Sequence, residues 1–275
     1  MRLGILTDIH HCPPGSPADG WHNQHQFATV LQRLGESIAW LEAQGVDRIA
    51  ILGDLTHFGD EDSMQEVIAT IGQAQVPVWV LPGNHDLKPD TAVLAAAITA
   101  SGHDAIALLN GAAEVAEGDW WVTGLDLARA DSGGYLAPHA PDPAAWGNAP
   151  VLVLSHFPVL SIHGHATGAG LKYAGDLVNG ARIAESLLAR TAPTLVINGH
   201  LHIRHAITEG PVLQASCGAQ VESLFEATIV DFGAWHEGRI SWLSFPVQAV
   251  DPGVNPALSE PTQVSAWTGT AWTNA

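Results

Sequence analysis

Six short apolar runs punctuate this chain, and five of them lead straight into clusters of Asp, His and Asn. The runs are Leu3–Thr7, Arg48–Leu52, Val76–Leu81, Trp120–Leu125, Val151–Leu154 and Thr194–Ile197. Asp8-Ile9-His10 follows the first and Gly53-Asp54 the second. Gly83-Asn84-His85-Asp86 follows the third, Ser155-His156 the fifth and Gly199-His200-Leu201-His202 the sixth. Runs this short and this apolar fit strands buried on both faces. In an open α/β sheet the ligand site lies outside the carboxyl ends of the strands. Five strand ends would therefore aim polar side chains into one region.

Helical patterns fill the gaps between runs. Phe27, Val30, Leu31, Leu34, Ile38 and Leu41 recur at helical spacing, with Gly45 as a C-terminal stop. Ser63-Met64-Gln65-Glu66 reads as a capping box that opens a second helix before Val67, Ile68 and Ile71. Further helices are expected over Asp90–Ser101 and Leu177–Arg190. The alternation makes the fold class α/β. From Ala206 the pattern turns β-rich, with Val212–Ala215, Ala227–Phe232 and Arg239–Phe245 expected as antiparallel strands completing a second sheet. After Pro246 no helical or strand period is visible. Residues 1–250 are thus expected to form one catalytic domain, and 251–275 a peripheral extension or a disordered tail. Trp267 and Trp272 there are candidates to pack on the body or on a second subunit of a homo-oligomer.

Charge narrows the partners. Ten Lys plus Arg stand against twenty-eight Asp plus Glu, a formal net charge of -18 over 275 residues. Such a field repels polyanions, so neither a nucleic-acid polymer nor an anionic membrane is an expected partner. A small molecule is. Cys12 and Cys217 lie far apart and read as two free thiols in a reducing compartment. The first carboxylate, Asp8, arrives too early for a signal peptide, and no window approaches a transmembrane length. These features point to a cytoplasmic chain.

Asp8, His10, Asp54, Asn84, His156, His200 and His202 supply N and O donors, which suit borderline ions such as Mn, Fe, Zn or Co. Both cysteines lie outside these clusters. Hydrolysis of an unactivated phosphate ester is among the slowest uncatalysed reactions and needs its oxygens neutralised. Two ions about 3.5–4 Å apart can clamp the attacking and leaving oxygens and generate hydroxide at neutral pH. Two such ions repel each other unless a carboxylate lies between them.

The ordered set of Asp8-Ile9-His10, Gly53-Asp54, Gly83-Asn84-His85-Asp86, His156 and Gly199-His200-Leu201-His202 resembles the calcineurin-like metallophosphoesterases. The resemblance implies a four-layer αββα sandwich with two mixed sheets and a dinuclear metal site between them. It implies that Asp8, His10, Asp54 and His202 hold one metal and that Asp54, Asn84, His156 and His200 hold the other, with Asp54 bridging. His85 would act on the leaving group or a phosphoryl oxygen, oriented by Asp86 or another acceptor, and Asn84 would also hold phosphoryl oxygens. The short chain and its two terminal motifs look most like the small bacterial class III cyclic-nucleotide and glycerophosphodiester phosphodiesterases. A hydroxide between two Mn or Fe ions would then attack a small diester. A phosphomonoesterase is the alternative within the family, and a catalytically silent scaffold is the alternative outside it.

Other residues stay open on sequence grounds. His85 and Asp86 could be a structural pair, and His11 and His57 stand either in the cleft or in solvent. His22, His25, His103, His139, His163, His165 and His205 read as surface or supporting groups. Lys172 or Arg204 could meet a phosphate oxygen. The 128–150 insert is a specificity loop or a plain surface loop.

Overall fold

The computed structural model describes residues 1–88, 93–109, 114–117, 119–139, 142–173, 175–246, 258, 260–261 and 263–275. The chain runs β1 (Arg2–Leu6), α1 (Val30–Ala43), β2 (Arg48–Leu52), α2 (Glu61–Ile71) and β3 (Val78–Leu81). α3 (Val93–Ser101) leads to β4 (Ile106–Leu108), β5 (Glu114–Glu117) and β6 (Trp120–Gly124). The small strands β7 (Ala128–Arg129) and β8 (Tyr135–Leu136) precede β9 (Val151–Ser155). α4 (His163–Gly168) and α5 (Gly180–Leu188) come before β10 (Thr194–Asn198). Then follow β11 (His205–Glu209), β12 (Val212–Ser216), β13 (Glu226–Asp231), β14 (Arg239–Pro246), β15 (Gln263–Trp267) and β16 (Trp272–Asn274).

Two mixed sheets result. One has eight strands in the order β16-β15-β14-β13-β1-β2-β3-β4, and the other has six in the order β11-β12-β10-β9-β6-β5. Strands β1 to β4 are mutually parallel, as are β6, β9, β10 and β12. Alternation along each strand sorts the side chains into layers. Ile49 and Ile51 of β2 pack on α1 and α2, while Ala50 and Leu52 face the other sheet. Leu152 and Leu154 of β9 meet them there, and Val151 and Val153 turn outward to Ile183 and Leu187 of α5. Three cores between helix, sheet, sheet and helix make the αββα sandwich.

Two expectations are corrected and one, for 251–275, is narrowed to its first alternative, the peripheral extension. The late strands do not complete one sheet: β12 joins the six-stranded sheet parallel to β10, while β13 extends the eight-stranded one antiparallel to β1 and β14 follows antiparallel to β13. The stretch 251–275 is no bare tail in its described part. β15 pairs with β14 and β16 with β15, and the buried Trp272 indole donates to the Pro211 carbonyl at 3.0 Å, tying this edge to the facing sheet. A two-strand hairpin of Thr, Ser, Gln and Trp carries too little apolar alternation to be seen by period alone. Residues 251–257, 259 and 262 lie outside the described set, as does the expected helix start at Asp90. Finally, α2 begins at Glu61, capped by the Asp60 carboxylate, which accepts from the Ser63 backbone N–H at 2.9 Å. Ser63 is a buried third residue of the helix, and Glu61 and Asp62 complement the positive helix end.

Candidate metal centre

Five parallel strands deliver the polar clusters at their carboxyl ends, on loops stitched together by backbone. The Asp8 N–H donates to the Gly53 carbonyl at 3.1 Å, and the His10 N–H donates to the Asp54 carbonyl at 2.8 Å. Asp8, His10, Asp54, His200 and His202 all adopt positive φ, between 50° and 69°. Left-handed backbone at non-glycine residues costs about 1–3 kcal/mol each and persists where the surroundings over-determine it. Phe225 is the one other non-glycine at positive φ among the described residues, so the strain is concentrated in the loops of this site. Gly53 (φ +90°) and Gly83 make the close crossing between two of those loops. A Cβ on Gly53 would lie 2.6 Å from the Gly83 nitrogen.

Two groups of donors face each other. Asp8, His10 and His202 bring one donor atom each within 4.8 Å of the others, and so do Asp54, His156 and His200. The Asn84 side-chain oxygen lies 3.0 Å from His156 Nε2 and adds to the second group. Asp54 reaches into both, with Oδ2 3.5 Å from His10 Nε2 and 3.3 Å from His156 Nε2. His202 Nε2 stands 3.4 Å from Asp8 Oδ1. The three imidazole–carboxylate approaches suit side chains that converge on a shared centre. His10 Nε2 and His200 Nε2 are buried without a hydrogen-bond partner among the described residues. Orphaned imidazole nitrogens beside two carboxylates fit cations.

Protonation follows the same division. Burial disfavours charge on His156, yet the Asp54 and Asp8 carboxylates override it and raise the pKa to about 9. Burial also opposes a proton on His202, but Asp8 and Glu222 push it up to about 10. His200 is driven down to about 3 by burial and by His156, and His10 falls well below its ordinary value by burial. Asp54 resists the burial penalty because His156, His85 and His10 surround it, so it stays well below the usual carboxylate range.

A supporting layer holds the donors. His156 Nδ1 donates to the Leu52 carbonyl at 2.7 Å. His202 Nδ1 donates to Glu222 at 2.9 Å. Nothing around Glu222 in the sequence marks it; β13 and the preceding loop bring it in from the far end of the chain. Asp86 does not orient His85. Its carboxylate accepts from the backbone N–H groups of Leu55, Thr56 and Gly83 at 3.2, 3.0 and 2.8 Å, and so clamps the two loops together. Burial and the nearby Asp54 push Asp86 up to about 7, against those three donors. The partner of His85 Nδ1 is the His57 carbonyl at 2.8 Å, with Lys88 Nζ 2.7 Å from the same nitrogen.

His10, Asp54, Asn84, His200 and His202 line one cavity of about 360 Å³, which also takes in Trp21, His25, His85 and Lys172. Lys172 Nζ lies 5.3 Å from the Trp21 ring centroid at its mouth. Arg204 is not available to substrate: it forks onto Glu226 and donates to the Glu260 carbonyl. His11 is held by Glu66 at 2.5 Å, whereas His57 lines the cavity. The 128–150 insert touches the centre through Tyr135, whose hydroxyl donates to the Asn84 carbonyl at 3.2 Å.

The model of the calcineurin-like phosphoesterases matches residues 1–204 of this sequence. The chain belongs to that family. Membership implies a metal-dependent hydrolase of phosphate esters with a dinuclear centre, and the two donor groups stand where this family fold can hold metal. No curated protein matches the sequence. A dimetal phosphatase from Danio rerio has a similar structure at 13% identity and a TM-score of 0.65, covering 90% of this chain and 96% of that one. A Thermus thermophilus protein is similar at 14% identity and 0.58, covering 90% and 99%. GAP50, described as the anchor in the inner membrane complex of Plasmodium, is similar at 10% and 0.53, covering 94% and 88%. Likeness at such identities is likeness of fold, and the fold alone does not choose between enzyme and anchor. Among the described residues no helix is long and apolar enough to cross a membrane.

Proposed function

We propose that this chain is a dinuclear phosphodiesterase of small diesters, of the cyclic-nucleotide or glycerophosphodiester kind. The observation that carries the reading is a small cavity lined by His10, Asp54, Asn84, His200 and His202, with Asp8 and His156 grouped with them and Asp19 at the rim. Asp8, His10, Asp54 and His202 would hold one ion, and Asp54, Asn84, His156 and His200 the other. Mn and Fe suit this donor set best, with Zn or Co as substitutes. Bound there, the ions would neutralise phosphoryl charge and acidify a water.

The chain's own residues do the rest. Lys88 and His85 Nδ1 both donate to the His57 carbonyl; with Nδ1–H so held, the imidazolium form of His85 would pass its Nε2 hydrogen to the departing oxygen as the P–O bond breaks and return to neutral imidazole. Asn84 and Lys172 hold phosphoryl oxygens. The Gly20 N–H, together with His57 and His25, keeps Asp19 ionised below the usual carboxylate range. A carboxylate at the rim penalises the second charge of a monoester dianion more than the single charge of a diester. A cavity of this volume admits a nucleotide-sized ligand, and the net charge of -18 argues against tracking a nucleic-acid strand. The two free, buried thiols Cys12 and Cys217 support a reducing, cytoplasmic setting.

The complete donor set argues against a silent scaffold, and Asp19 argues against a monoesterase. A screen of the metal-reconstituted protein over cyclic nucleotides, glycerophosphodiesters, monoesters and single-stranded DNA tests the reading. Diester kcat/KM should exceed monoester kcat/KM across leaving groups; the reverse order overturns the substrate class, and no turnover of any ester overturns the enzyme.

A further inference from the structure

The backbone carbonyl of His57 receives His85 and Lys88, while its ring bridges two other groups. Its Nδ1 lies 3.3 Å from Nδ1 of His10, and its Nε2 lies 3.1 Å from Asp19 Oδ2. A neutral imidazole has one N–H and one lone pair, and an ionised carboxylate only accepts. A lone pair on His57 Nε2 would face the Asp19 carboxylate at 3.1 Å and be repelled, so Asp19 places the His57 hydrogen on Nε2 and leaves Nδ1 as an acceptor. The facing Nδ1 of His10 must then be the donor. That leaves the lone pair of His10 on Nε2, the buried nitrogen without a partner, 3.5 Å from Asp54 and 3.9 Å from Asp8. The tautomer that ligates a cation is thus dictated from outside the donor group, through one hydrogen bond and one imidazole–carboxylate pair that ends on a half-exposed carboxylate.

We propose that Asp19 and His57 form a tautomer relay that presents His10 to the metal through Nε2. This rests on reading Asp8, His10, Asp54 and His202 as a metal site. Both are positioning residues, since neither touches the reacting atoms. The rival is a third cation held by Asp19, His25 and His57, whose donor atoms also lie within 4.8 Å of one another. That cation would take the His57 Nε2 lone pair and move the hydrogen to Nδ1. Two N–H groups would then meet at 3.3 Å, or His10 would turn into the tautomer that cannot ligate. Hydrogen-bond bookkeeping favours the relay. Ligating histidines generally donate their second nitrogen to a carboxylate, carbonyl or water, and losing that partner weakens metal binding about 10–100-fold. Here a histidine is interposed between ligand and carboxylate.

The test uses the full-length, zinc-loaded protein. Long-range ¹H–¹⁵N spectra should show His57 with its hydrogen on Nε2 and His10 with its hydrogen on Nδ1. Chelator competition should then show one of two zinc ions bound about 10–100-fold more weakly in His57→Leu, with the other unchanged. His57→Gln offers a side-chain oxygen to His10 and keeps the backbone carbonyl under His85, so it should recover most of that loss. A His57 hydrogen on Nδ1, a third zinc lost in Asp19→Asn, or equal affinities in His57→Leu and wild type would each overturn the relay. So would a His57→Gln variant as weak as His57→Leu. Zinc held at wild-type affinity by His10→Ala would instead overturn the assignment of His10 as a ligand, whatever the tautomers.

Discussion

The two donor groups are built from the same residue types but braced differently. The group of Asp54, His156 and His200 leans on backbone: His156 is pinned by the Leu52 carbonyl at the end of β2. The group of Asp8, His10 and His202 leans on side chains, with Glu222 behind His202 and His57 behind His10. A carbonyl cannot be mutated away and carries no net charge. A carboxylate can, and its charge sets the basicity of the imidazole it holds. The first group is therefore fixed with the fold, and the second is tunable.

The severest test of that contrast is Asp54→Ala, because the Asp54 carboxylate lies between His10 of one group and His156 of the other. It should strip both ions and abolish turnover, and metal analysis finding two ions still bound would end the bridging assignment. His85→Ala should leave both groups filled, since the His85 side chain donates to neither. It should cost about 10²–10⁴ in rate on an alkyl or ribosyl leaving group and much less on p-nitrophenolate. Equal losses on the two would move His85 from proton donor to substrate positioning. Glu222→Gln should weaken one ion about 10–100-fold and spare the other; uniform loss at both sites, read by chelator competition, would dissolve the distinction between the groups.

The smallest effect is in pH. In the metal-free protein His156 and His202 carry raised pKa values, so their protonated forms add stability that is fully present below about 6.5. That stability is lost as pH rises through about 9 for His156 and about 10 for His202. Metal binding must expel these protons, so affinity should climb with pH over that window. The Glu222-braced site should climb last. Calorimetry in buffers of different ionisation enthalpy measures the protons released. A release independent of pH between 7 and 10 would contradict it.

Much of this was legible in the chain. Strands β1, β2, β3, β6, β9 and β10 read directly from apolar runs, because strands buried between two layers need no polar face. The edges did not read as well. β11 and β15 are half-exposed, and their mixed residues carry no clean period. The seven candidate donors stood out because each follows a strand end within a few residues. Glu222 and Asp19 were not, since a lone carboxylate in a loop has no local mark and gains its role from what it faces.

What the sequence determined by itself is which short runs become the central strands and which polar residues follow them, since both are properties of a few consecutive residues. What only the tertiary structure decided is which way those donors are held. Left-handed backbone at Asp8, His10, Asp54, His200 and His202, the Asp86 clamp on three amides and the Asp19–His57–His10 line all depend on groups distant in sequence. Strain and hydrogen-bond direction are set by the partners a residue meets, and those partners exist only once the sheets have packed.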